Sequence, residues 1–83
     1  MLSDDFRNAV WNIGDSFNCK LFQLLLSADN YNFDMMAKGY PVPAMMVYLY
    51  NNDCSYCFKN GIKQVDYDML LSRAEAIRFN LEK

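Results

Sequence analysis

From Ser3 to Ala28 the apolar residues Phe6, Val10, Ile13, Phe17, Leu21, Leu24 and Ala28 recur at steps of three and four, the spacing that lines one face of an α-helix. This pattern predicts a single long N-terminal helix. Ser3 is its expected cap, taking a free first-turn N–H on its hydroxyl. Asp4 and Asp5 follow where the helix dipole favours negative charge. The 26 residues of this span, at about 1.5 Å each, would reach roughly 39 Å. A second apolar line, Trp11, Phe22 and Leu25, falls on another face of the same helix, with Gly14 and Asn18 between. A helix apolar on two faces is central in its own domain or buried against a second chain. Trp11, Phe22 and Leu25 are therefore expected to bury against a partner, a second copy of the chain included.

The remainder divides at local signals. Asp29 is a good cap for a short helix over Asn30 to Lys38, with Gly39 expected to close it in the left-handed conformation and Tyr40 to pack back on Met35. Tyr40-Pro41-Val42-Pro43 is a stiff elbow, because two prolines fix φ and remove two N–H donors. For Ala44 to Tyr50, an unbroken apolar run, a third helix is favoured by the prolines at its start and by Ala-Met-Met. A buried strand, suggested by Val47, Tyr48 and Tyr50, is the alternative. Asn51-Asn52-Asp53 breaks this element. Cys54 to Lys59 then reads either as one helical turn or as part of a short β-hairpin near Cys57–Val65, turning through Asn60-Gly61. Asp66 is expected to cap a last helix to about Leu81, with Tyr67, Leu70, Ala74, Ile77 and Leu81 as a narrow apolar seam. Met69, Leu71 and Phe79 fall off that seam. The expected fold is all-α: a small bundle of about four helices in a single domain, residues 1–83, with the first and last helices packed together.

Composition narrows the function classes. At 83 residues the chain is one domain and buries only about 60–65% of its unfolded surface. Its hydrophobic content is 53% and its aromatic content 16%, which argues against disorder and leaves more large apolar groups than a small core can hide. Such a surplus belongs at an interface, and self-association is expected. Eight basic residues stand against ten acidic ones, for a net charge of −2. Nucleic-acid binding is led by Lys and Arg neutralising phosphates, and no basic cluster occurs: Arg73, Arg78 and Lys83 are interleaved with Glu75 and Glu82. Direct nucleic-acid binding is disfavoured. Met1-Leu2 leads straight into Ser3-Asp4-Asp5 with no basic leader, and no apolar run approaches the ~20 residues of a membrane span. The expectation is a soluble protein of the cytoplasm without membrane association.

Catalytic chemistry finds few parts. The chain has no histidine, so the usual general base at neutral pH is missing. The acidic pairs Asp4/Asp5, Asp29/Asp34 and Asp66/Asp68 are explained as helix starts and turns. Gly14, Gly39 and Gly61 are too far apart to cradle a phosphate. Cys54-Ser55-Tyr56-Cys57 could supply half of a zinc site, but Cys19 is the one further thiol. A complete site would need an Asp or a second chain. Two ordinary thiols in a tight turn is the favoured reading, and an odd cysteine count suits reduced thiols. No enzyme activity, metal or cofactor is expected.

The Met and aromatic groups carry the interaction reading. Met35-Met36 and Met45-Met46 flank the elbow, with Tyr31, Phe33, Tyr40, Tyr48 and Tyr50 around them. Methionine adapts to irregular partners and tyrosine is a common interface anchor. Part of this cluster packs the core. Met36, Tyr40, Met45 and Tyr48 are the candidates for a partner surface, or for a small-ligand pocket between helices.

From Leu24 to Tyr50, about a third of the chain, the order is helix, Ser-Ala-Asp-Asn, short helix, Lys-Gly-Tyr-Pro, helix. This resembles a pattern of small uncharacterised bacteriophage and prophage proteins, in which an Asp-x-x-Asn turn and a Gly-Phe-Pro elbow join three helices. Tyr40 stands where Phe is the pattern, and Pro43 is an addition. The resemblance implies an accessory protein that binds and inhibits or modulates a host protein, such as a defence or transcription factor. It assigns no functional residue. The expected partner is a host or viral protein. A structural or assembly subunit, in which the apolar surplus serves only self-association, is the second class.

Overall fold

The computed structural model describes residues 2–52, 58–59, 62–63 and 65–81, with side chains at 2–52 and 65–77. Five helices occur among the described residues: α1 (Leu2–Val10), α2 (Phe17–Ser27), α3 (Asn30–Gly39), α4 (Pro41–Asn52) and α5 (Tyr67–Leu81). The chain is all-α, as its periodicity predicts, but the long N-terminal helix is two helices.

The break is built from short polar residues. Asn12 takes a left-handed φ of 58°, a conformation that asparagine tolerates better than most residues. Its N–H donates to Ala9 O at 3.1 Å and the N–H of Ile13 donates to Asn8 O at 2.8 Å. These two crossed bonds close α1 by satisfying carbonyls that a helix end otherwise leaves free. Gly14 follows at φ 85°. Ser16 then opens α2, its hydroxyl accepting from Cys19 N–H at 3.1 Å and donating to the Asp5 carboxylate at 3.2 Å. Cys19 is buried, and its thiol donates to Ile13 O at 3.1 Å. A cap, a thiol and a carboxylate thus pin the corner to both helices.

Gly14 offers a direct test of this corner. A Cβ there would meet Asn8 Cβ and Cys19 Sγ at 3.5 Å, which is ordinary contact. The cost of Gly14→Ala is therefore conformational, about 1–2 kcal/mol for an L-residue held at positive φ. Urea unfolding should show that loss with the helix content of the folded state unchanged.

Splitting the helix changes which residues face inward. Phe22 is 0% exposed and Leu25 2%, whereas Phe17 is 66% and Leu24 60% exposed. The expectation that Phe22 and Leu25 face a partner is overturned: both are core. Six residues from Trp11 to Ser16 leave the helical path, so the face defined on α1 does not carry over to α2. Ser3 also departs from its expected role. It lies inside the first turn of α1, buried, and its hydroxyl has no hydrogen-bond partner.

Phe6 is the centre of the core. Its ring lies 4.7 Å from Phe22 on α2, 5.4 Å from Tyr50 on α4 and 5.6 Å from Tyr67 on α5. Helix α4 is the hub, packing on α5, α3 and α2, while α1 packs on α2 and α5. Ala44 to Tyr50 is helical. Pro41 and Pro43 sit in the first turn of α4, where N–H groups have no intrahelical partner, so both fit. The first bond of α4 runs from Ala44 N–H to Tyr40 O at 3.1 Å. An apolar face on most sides suits a helix that has neighbours on most sides.

Asp29 caps α3 by accepting from Asn32 N–H at 2.8 Å. Gly39 is not left-handed: it is the last residue of α3, and the N–H of Tyr40 closes the helix on Met36 O. The Tyr40 ring lies toward Phe17, with ring centroids 6.0 Å apart. Asp66 caps α5, accepting from Met69 N–H at 3.0 Å. Leu70, Leu71 and Ala74 of α5 are buried, so Leu71 joins the seam it was expected to miss. Between α4 and α5, Phe58 pairs with Lys63 and Lys59 with Ile62 in an antiparallel ladder. Two residues a side is too short to stand as an independent element, so the hairpin alternative adds nothing to the architecture. Cys54 and Cys57 lie outside the described residues.

Candidate functional site

Two concave surfaces flank the hub helix. The first is an apolar groove between α3 and α4. None of the residues of α3 is fully buried: Phe33, Met36 and Ala37 are half-covered and pack on the core cluster from outside. Phe33 and Ala37 are four apart and share one face of α3. They meet Pro41, Ala44, Met45 and Tyr48 across a groove of about 210 Å³. Its floor is fixed, because Ala44 is buried, and its rim is open, because Tyr48 is half-exposed. The short Ala37 and Ala44 side chains leave the hollow and the larger Phe33, Met45 and Tyr48 border it.

Of the partner-surface residues named from sequence, Met45 and Tyr48 line this groove. Tyr40 stands at the elbow beside it, and Met36 is half-buried on α3. Trp11 is exposed but elsewhere, at the end of α1, where the Arg7 guanidinium lies 5.3 Å from its ring centroid. Phe22 and Leu25 are excluded by burial. Phe33, Ala37 and Pro41 were not singled out as a site, although the i, i+4 spacing of the first two places them together.

The second surface is a cleft of about 600 Å³ between α1, the end of α4 and the start of α5. Helix α1 contributes Ser3, Asp4, Arg7 and Val10 to it, Trp11 joins from the corner that follows, and α5 and its cap contribute Asp66 and Asp68. Arg7 Nη2 lies 3.6 Å from Asp4 Oδ1. The wall is about half polar, unlike that of the groove, and among the described residues carries more carboxylates than guanidinium. No sequence motif signals this cleft, since Ser3 and Asp66 come to line it together only through the packing of α1 on α5.

Among the described residues no three His, Cys, Asp or Glu side chains gather to hold a metal ion, and no helix is long and apolar enough to cross a membrane. Cys19, buried and donating to backbone carbonyls, serves the corner. Comparison with protein-family models, with curated proteins and with solved structures finds no match for this chain.

Proposed function

We propose that this chain is a non-enzymatic protein-interaction module that uses the α3–α4 groove to seat apolar side chains of a partner protein. The observation that carries the reading is the groove itself: an apolar hollow bordered by Met45 and Tyr48, formed by a helix that is docked on one side only. Interface anchors fill such hollows, and adaptable Met with amphipathic Tyr at the rim is the composition that suits them. The resemblance of Leu24 to Tyr50 to small phage proteins supports a host protein as the partner, with binding that inhibits or modulates it.

Self-association is the second reading, favoured by Phe17 and Leu24, which stand exposed on α2. A photo-crosslinking residue at position 48, with position 75 on the exposed side of α5 as control, separates the two readings in host cells. A defined heterologous adduct at 48 and none at 75 is the expected result. An adduct of the chain with itself would favour the subunit reading. Equal adducts at both positions, or none at 48, would remove the groove as the binding surface.

A further inference from the structure

We propose that the cleft between α1 and the start of α5 binds an α-amino end: an ammonium group beside a carbonyl or carboxylate oxygen, as carried by a free amino acid or by the N-terminus of a peptide. The cleft, at about 600 Å³, is in the range of about 300–1,000 Å³ usual for small-ligand sites. Two polar atoms there lack a partner, Ser3 Oγ and Arg7 Nε, both buried. Ser3 is 2% exposed, and a buried hydroxyl with no partner is a destabilising feature that a ligand can relieve. Ser3 and Arg7 are four apart on α1, one turn along the same face. Both can donate, so a single acceptor oxygen satisfies the pair. Arg7 is already oriented for this: its Nη2 faces Asp4 and its guanidinium lies over Trp11, leaving Nε open.

The opposite wall decides the charge of the ligand. Asp66 and Asp68 border the cleft at the start of α5, so among the described residues that line it carboxylates outnumber the guanidinium of Arg7, which already faces Asp4. A phosphate or another full anion is repelled by that balance. The acceptor oxygen must therefore arrive with a positive charge attached. Trp11, Tyr50 and Tyr67 also line the cleft, and aromatic rings are favourable neighbours for an ammonium. An α-amino end is the simplest chemistry that supplies both groups.

Trp11 is the only tryptophan and lines the cleft, so its fluorescence reports occupancy. The common free amino acids, trialanine, and the N-acetylated form of each are titrated against the full chain. The expected result is a saturable change with a free amino acid or with trialanine, weakened about tenfold or more by N-acetylation, which removes the ammonium. Asp68→Asn should weaken the same binding about tenfold. Ser3→Ala should also weaken it about tenfold while moving the urea midpoint upward, because it deletes the orphan hydroxyl. Loss of affinity with gain of stability is not what a merely structural residue shows. Binding by free amino acids identifies a small-molecule source, and binding by trialanine alone a chain N-terminus. No saturable change with any probe up to about 10 mM, well beyond a millimolar affinity, would overturn the proposal. So would equal binding of the acetylated forms, or unchanged affinity in Ser3→Ala.

Discussion

Phe22→Ala is expected to remove about 3–5 kcal/mol of stability, the cost of truncating a fully buried aromatic side chain. A chain of this size holds about 4–12 kcal/mol in total, so the variant loses at least about a quarter of its stability, and at the lower end of that range it is partly unfolded before any denaturant is added. The size of the effect follows from position. Phe22 is 0% exposed, and its ring faces Phe6 at 4.7 Å, the residue on which α1, α2, α4 and α5 converge. Truncation opens a void at that convergence, and rings anchored on different helices cannot collapse together to fill it. Urea denaturation followed by far-UV circular dichroism measures the loss. A loss under about 1 kcal/mol, the level of an ordinary surface or peripheral change, would place Phe22 outside the core.

Tyr48→Glu is expected to act in the opposite way, on binding and not on folding. Tyr48 is half-exposed on the rim of the α3–α4 groove, and only its backbone carbonyl has a described bond, accepting from Asn52 Nδ2 at 2.9 Å. Substitution leaves that bond intact, so stability should move by no more than about 0.5 kcal/mol. A carboxylate at the rim would have to be desolvated by an apolar partner group, and an anchor residue of this kind contributes about 2 kcal/mol or more. Capture at the groove should fall about thirtyfold or more. The readout is affinity for the protein recovered by crosslinking at position 48, compared between wild type and variant by titration. Retained affinity with an intact fold would rule out the groove.

The local signals were legible because each is self-contained. Asp29 and Asp66 announce helix starts by a bond spanning three residues, and Pro41 and Pro43 can only lie in a first turn. These boundaries need no tertiary information. The first helix misleads for a different reason. Its apolar period continues in phase from Phe6 to Ala28, but period reports a common face only while the backbone stays helical. Asn12, Gly14 and Ser16 carried the contrary signal: a left-handed residue, a positive-φ glycine and a cap within five positions. Once the chain turns there, Phe17 and Leu24 rotate outward and Phe22 and Leu25 rotate in.

The site divides along the same line. Met45 and Tyr48 are three apart on α4 and share a face in any helical reading of that run. Their partners Phe33 and Ala37 sit on another helix, and only the elbow at Tyr40–Pro41 sets the angle that opposes them. The polar cleft lies further still from sequence, because its two walls come from the two ends of the described chain. Trp11 was singled out as an apolar contact. It lies beside Arg7 and lines the same cleft as Asp66 and Asp68.

The shift of the inner face across the corner, which keeps Leu21 inside, brings in Phe22 and Leu25 and turns out Phe17 and Leu24, is what the whole account rests on, since it sets both the core and the surface left for partners. Leu24 and Leu25 test it with one chemistry at adjacent positions. Leu25→Ala should cost about 2.5–5 kcal/mol in urea unfolding, as a buried leucine does, and Leu24→Ala no more than about 0.5 kcal/mol. Equal losses, or a larger loss at Leu24, would restore the single continuous helix and contradict the corner at Asn12–Ser16.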